Sequence, residues 1–418
     1  MSFFFVYALL SLSACHKEIL PPVPPVDALV SKLNILWQKP LVPDTSNHTT
    51  SPQCFIDGGI IYSVDFTLPT ATVQMRNGIN GEKRWIFDNF LYPIDAFIEF
   101  GTVMPLHNQL AIHYWHRDYY VDVQSGQRIW ASDISGTAQG GGPLGATIGD
   151  YLYTPHYTGQ KPKSTSESLA RHHYSGGGWD TLVTFTAAGD NYHPNLKMPT
   201  LWINPQGDSV LIIRNYEAYS APPDPPNGRL KRMGIYAFNL RTRTFDWQRE
   251  DFDVDGIATA GDVLIDGNHL YINTTSKLHC VDLFTGQAIW KKQFNEAILS
   301  TTLVMHQNIV VVQNNERGMW GINKNSGAEV WYQPETDGNV DELAYFDGVV
   351  YCTSTGYGRL YAVRATDGKL LWAERSPNRS NPRTADASFS YSTVVVDPER
   401  RVLYVGDHYY MMCIKVPE

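Results

Sequence analysis

Charge is sparse in this 418-residue chain: only 18% of residues are Asp, Glu, Lys or Arg, and the acidic ones outnumber the basic ones to give a net charge of −9. That balance argues against sequence-independent binding to nucleic-acid phosphates. Past residue 14 no run approaches 18 consecutive apolar residues, so no transmembrane helix is expected in the mature chain. Only five cysteines occur, with no CxxC among them, which removes zinc-ribbon and dithiol redox chemistry. Disorder is excluded by the 43% apolar and 12% aromatic content, and collagen by the absence of a glycine period. What is plentiful is 33 glycines, 25 prolines and 24 tyrosines, a composition of many turns and many strands.

The first residues carry a targeting signal. An apolar stretch from Phe3 to Leu12 runs into Leu12-Ser13-Ala14-Cys15, which resembles the lipobox of bacterial lipoproteins, although no Lys or Arg precedes it. The resemblance implies cleavage after residue 14 and acylation of Cys15. Residues 15–32, with Pro21-Pro22-Val23-Pro24-Pro25, then read as an extended, semi-rigid tether.

Self-comparison organises the remainder, 33–418, as a single body. The pattern apolar–small–apolar–(Asp/Asn)–x–x–(Thr/Ser)–Gly–x–x–x–Trp is clearest at Asp282, Thr285, Gly286 and Trp290. Close copies end in Trp130 and Trp331, looser ones in Trp85 and Trp372. Trp247 keeps the spacing with Arg243 in place of the glycine, and the copy ending in Trp179 is one residue short. Asp or Asn bonds the backbone two residues on, Gly supplies the positive φ, and the indole packs between repeats. Eight polar turns with β-formers on one side, from Asp57-Gly58 to Asp397-Pro398, accompany seven such tryptophans. The eighth is Trp37, in an outer strand at the N-terminus with no inner strand before it.

The expected fold is therefore all-β: an eight-bladed β-propeller of four-stranded blades, closed by the Trp37 strand completing the C-terminal blade. Trp37, Trp85, Trp130, Trp179, Trp247, Trp290, Trp331 and Trp372 are expected to be structural docking residues. Cys280 and Cys413 fall at equivalent positions of separated blades, so free buried thiols are expected there and at Cys352.

The Asp–x–x–Thr–Gly–x–x–x–Trp pattern resembles the tryptophan-docking motif of PQQ-like β-propellers, over nearly everything from Leu33 onward. Two eight-bladed branches of that superfamily are relevant. One is the quinoprotein dehydrogenases, with bound PQQ and Ca²⁺. The other is the non-enzymatic outer-membrane assembly lipoproteins of the BamB type. At about 49 residues per blade the repeats consume the chain, leaving little for cofactor-capping loops. The vicinal cysteine pair of many PQQ enzymes is absent. The resemblance and the lipobox together imply an outer-membrane lipoprotein in the cell envelope, monomeric in its body, with no cofactor and an envelope or outer-membrane protein as partner. The alternative is a PQQ- and Ca²⁺-dependent oxidoreductase, or a glycan or small-ligand binder, using the central funnel.

Metal sites have little support. His113 and His116, three apart on a strand, point to opposite faces, and His172-His173 has the same problem. Asp251, Asp253 and Asp255 lack the closing Glu of an EF-hand loop. The better guide is departure from the repeat: two consecutive blades lengthen their central connection, at Pro155 to Arg171 and Asn215 to Arg232. These segments are expected to share a face with Asn191-Tyr192-His193-Pro194 and Ser376 to Thr384. Within them Tyr216, Tyr219, Arg229, Lys231 and Arg232 combine aromatic and basic character suited to partner binding.

Overall fold

A computed structural model describes residues 33–41, 49–65, 72–90, 102–106, 108–114, 117–131, 146–156, 166–187, 192–219, 230–253, 263–274, 276–295, 303–313, 317–337 and 342–416. The signal and tether, with Cys15, lie outside them. The described chain forms eight antiparallel sheets. Blade 1 runs Thr49–Ile56, Gly59–Asp65, Thr72–Asn77 and Lys83–Phe87, and the pattern repeats to blade 7, Ala344–Phe346 to Leu370–Arg375.

Blade 8 takes its inner three strands from Val394–Asp397, Val402–Gly406 and Tyr410–Lys415, and its outermost strand from Ile35–Pro40. Trp37 lies opposite Cys413 and Lys39 opposite Met411, so the two ends of the chain are joined by one antiparallel ladder. The ring closes as the repeat count requires.

The core is distributed. Its eight buried clusters each draw residues from two consecutive blades, for example Ile61, Met75 and Trp85 of blade 1 with Leu110, Ile112 and Val121 of blade 2. Alternation along each strand places one apolar set on each face of a blade, and every face is covered by a neighbour. Buried thiols fit this packing: Cys280, Cys352 and Cys413 are buried and free. Burial pushes the Cys352 thiol up to about 12, so it packs as a small apolar group and not as a nucleophile.

The motif turn and the tryptophan of the preceding blade meet at each regular junction. Trp37 donates its indole N–H to Gly78 O (2.9 Å), Trp85 to Val123 O (2.8 Å), Trp247 to Leu283 O (2.6 Å), Trp290 to Lys324 O (2.9 Å) and Trp331 to Ala365 O (2.9 Å). The ring then lies flat on the motif glycine. A Cβ on Gly286 would sit 2.4 Å from Trp247, and one on Gly368 2.5 Å from Trp331. Those glycines also hold φ near +70°, so both the turn and the neighbour demand the absent side chain. Trp130 reaches Tyr174 O (2.6 Å), and Trp372 packs against the shared cluster of blades 7 and 8.

Trp179 departs from the expectation. The strand pairing sets Arg171 opposite Asp180, where blade 5 sets Cys280 opposite Trp290. The docking slot of blade 3 therefore holds Asp180, because the missing residue shifts the strand by one and turns every side chain to the other face. Asp180 Oδ2 pairs with Arg171 Nε (2.9 Å) and, across the junction, with Arg243 Nη2 (2.8 Å) of blade 4. Arg243 is the residue that replaces the motif glycine, and it keeps the left-handed φ of 55°. An ion pair thus stands where an indole rests on glycine elsewhere.

Candidate functional site

Tight turns occupy one face of the ring, and the strand ends that lead into the central and blade-to-blade connections lie at the other. Blade 4 is built up toward the second face. Its strands Ser209–Tyr219, Leu230–Asn239 and Thr244–Asp253 span ten or eleven residues, against five or six for their counterparts in blade 5. The inner strand is split in two. Thr200–Ile203 pairs with Ser209–Ile212, and Tyr192–Leu196 pairs with Asn215–Tyr219. Pro199, which has no N–H to donate, falls in the break. Blade 4 is accordingly five-stranded, a local exception to the four-stranded plan.

The projection is rooted in its neighbours. Glu167 of blade 3 accepts a hydrogen bond from Leu196 N–H (2.8 Å). Tyr216 is 2% exposed within the cluster shared by blades 4 and 5, with Lys197 Nζ 5.7 Å from its ring centroid. This corrects the expectation for Tyr216: it anchors the hairpin and presents no surface. Its alternate position on the strand, facing a covered side, is the reason. Tyr219, Lys231 and Arg232 lie on the two strands that bound the hairpin tip, with side chains outside the described residues, as is all of Arg229.

A groove of about 630 Å³ opens beside this projection, between Gln248–Asp253 of blade 4 and blade 5. On its floor Asp253 binds Lys277 Nζ (2.9 Å) and Thr274 Oγ1 (2.6 Å), with His279 Nε2 at 3.5 Å. The lysine occupies the position that a cation would need, so Asp251 and Asp253 do not form a calcium loop; Asp255 lies outside the described residues. Arg249 on the same strand donates to Thr285 O (2.8 Å) and Gly286 O (3.2 Å) of the next blade.

On the opposite arc of this face, Ser376–Thr384 folds into two short 3₁₀ turns held by Asp407. That buried carboxylate accepts from Ser376 Oγ (2.6 Å), Asn378 Nδ2 (2.8 Å) and the backbone N–H of Tyr409 (2.8 Å) and Tyr410 (2.6 Å). Burial raises its pKa and the four donors oppose the rise. Nothing in the repeat pattern marks Asp407, because it lies past the last motif copy.

The histidine pair does not converge. His172 is buried and bonded to Tyr120 OH (2.8 Å), whereas His173 caps its own turn through Ser175 (2.6 Å). Trp179 lies between His172 (4.2 Å) and His156 (4.4 Å), so the displaced indole packs against the histidines of its own blade. Burial lowers the pKa of both His156 and His172, against an opposing pull from Asp118, while His156 and His173 add to the lowering at His172. Imidazoles depressed below the ordinary 6.5 are neutral in the fold and must charge on unfolding in acid. Their stabilisation is full above that value and is lost as pH falls toward their folded pKa. Melting temperature is therefore expected to drop between about pH 7 and pH 5, less steeply in His172→Gln; an unchanged slope contradicts the assignment.

Among the described residues no three His, Cys, Asp or Glu side chains form a group that could hold a metal ion. His113 lies on the strand Gln109–Tyr114, its side chain outside the described residues, as is His116.

Ring closure, blade number and indole docking define an eight-bladed propeller with tryptophan-docked blades. Residues 231–418 match the family described as outer membrane protein assembly factor BamB. No curated protein matches the sequence. Among solved structures, BamB from Moraxella catarrhalis is similar, at 13% identity and TM-score 0.58 over 92% of this chain and 98% of that one. A europium-containing methanol dehydrogenase is similar at 10% identity and TM-score 0.64, over 90% and 85%. The computationally designed Ika8 protein gives 10%, 0.59, 92% and 100%. The chain is an eight-bladed β-propeller, and its residues 231–418 carry the similarity to the BamB family.

Proposed function

We propose that this protein is a lipid-anchored, non-catalytic scaffold that binds another protein of the bacterial cell envelope, in the service of outer-membrane protein assembly. The observation that carries the reading is the hairpin of blade 4. A hairpin lengthened on three strands and braced by Glu167 is a rigid platform, beside a groove lined by both signs of charge. Binding elements placed on such rigid scaffolds are the usual means of recognition. The match of residues 231–418 to the BamB family and the lipobox at Cys15 support the envelope setting.

The test is mild crosslinking and pulldown from membranes, with the intact chain and with residues 220–229 replaced by a two-residue Asn-Gly turn. The intact chain is expected to capture an envelope protein that the shortened chain, melting at the same temperature, does not. Equal capture by both sinks the hairpin as the binding element. An enzymatic reading, which the dehydrogenase fold-likeness brings in, makes a separate demand. Titration with PQQ and Ca²⁺ would then give a large thermal shift with alcohol-dependent dye reduction, and that result overturns the scaffold.

A further inference from the structure

Three arginines meet on the loop face of blade 7 without an acid among them. Arg359 opens one strand and Arg375 closes its neighbour, and the two are direct cross-strand partners. Arg379 follows on the short turn Pro377–Ser380 and reaches back to Ala387 O at 3.4 Å. Like charges placed opposite one another on a sheet are unfavourable. Several arginines elsewhere among the described residues are paired with acids: Arg84 with Asp57, Arg241 with Asp208, Arg364 with Asp367, Arg401 with Asp347. Burial, then the charges of Arg359 and Arg379, lower the pKa of Arg375; Tyr361 opposes them, and no carboxylate is among the groups acting on it. Arg359 Nε is buried without a hydrogen-bond partner. In a chain carrying 42 acidic residues, such a cluster is not a product of average composition.

We propose that Arg359, Arg375 and Arg379 form a binding site for a phosphate group. A guanidinium presents a planar fork of donors that matches phosphate oxygens in bidentate fashion. Three forks exceed what one carboxylate accepts, and a dianionic phosphate offers acceptors on several sides while cancelling the mutual repulsion of the pair. Arg359 and Arg375 are half-buried and Arg379 is exposed, so the site is open to solvent on one side. The phosphate is either free in solution or the headgroup of an anionic phospholipid.

The experiment compares the full chain with Arg375→Gln and Arg379→Gln at low, matched ionic strength in chloride. Inorganic phosphate at millimolar concentration is expected to raise the melting temperature of the unaltered protein. Arg375→Gln is expected to melt no lower than the unaltered protein in chloride, because repulsion is relieved, and to lose the phosphate-dependent rise. Arg379→Gln, altered at an exposed turn, preserves the fold and is expected to weaken phosphate binding about tenfold. Vesicles of phosphatidylcholine with and without phosphatidic acid separate the sources: saturable, Arg375-dependent binding to phosphatidic acid alone assigns a lipid headgroup, and a response to inorganic phosphate alone a soluble ligand. Absence of any response to phosphate and to phosphatidic acid, or equal responses in the variants, overturns the site. Neither result bears on partner capture through blade 4.

Discussion

Removing residues 33–42 is expected to abolish the cooperative unfolding transition of the whole body. The deletion takes away the outer strand of blade 8, with its ladder to Tyr410–Lys415. Trp37 leaves with it, and that indole is buried at 8% exposure in a cluster joining Tyr404 and Met411 of blade 8 to Ile60 and Tyr62 of blade 1. Truncating a buried tryptophan alone costs about 3–5 kcal/mol, against a total stability on the order of 5–15 kcal/mol. The lost strand also bares a sheet edge and breaks the ring. Circular dichroism melts and limited proteolysis read the outcome. A sharp transition like that of the intact protein would sink the closure argument.

The second large effect lies at the junction of blades 6 and 7. Trp331→Ala is expected to destabilise by about 3–5 kcal/mol, since a large buried plate and its bond to Ala365 O both disappear. Gly368→Ala forces a methyl onto the Trp331 ring at a residue with φ of +69°, with an expected cost of about 2–4 kcal/mol. The two costs share one contact. The double variant is therefore expected to fall short of their sum by about 1–3 kcal/mol. Asp180→Ala, which removes the corresponding element between blades 3 and 4, is expected to cost under about 1 kcal/mol, because that pair is largely exposed. Chemical denaturation of the set measures all four. Strict additivity at blade 7, or a blade 3 loss as large as that of Trp331, contradicts the docking scheme.

Much of this was readable in the residues because a repeat displays its own rules. Seven spaced tryptophans and eight turns give the blade count, and Trp37 without an inner strand gives the closure. Departures were visible as well. Arg243 stands in a glycine slot and the copy around Trp179 is one residue short. What pattern alone does not provide is that these two anomalies face each other, since that depends on strand register. A missing residue acts through the two-residue period of the strand, so Asp180 inherits the slot and Trp179 turns to the histidines of its own blade. Tyr216 shows the same limitation. Its composition suits an interface, but alternation sends it inward. The Asp407 clamp and the arginines of blade 7 join residues distant in sequence and outside the motif, where only folded geometry brings them together.

The ion pair between Asp180 and Arg243 also constrains how this sequence can change. At the other regular junctions one repeat supplies the indole and the next supplies the bare glycine, and either can be copied from a neighbouring repeat. Here the two positions have diverged together. Restoring glycine at 243 strips Asp180 of its cation across the blades, and restoring tryptophan at 180 drives an indole onto the Arg243 side chain. Neither single step retrieves the dock. The two residues are coupled in sequence space: blades 3 and 4 return to the common repeat only once both positions have changed, and the order of the changes matters, glycine at 243 first.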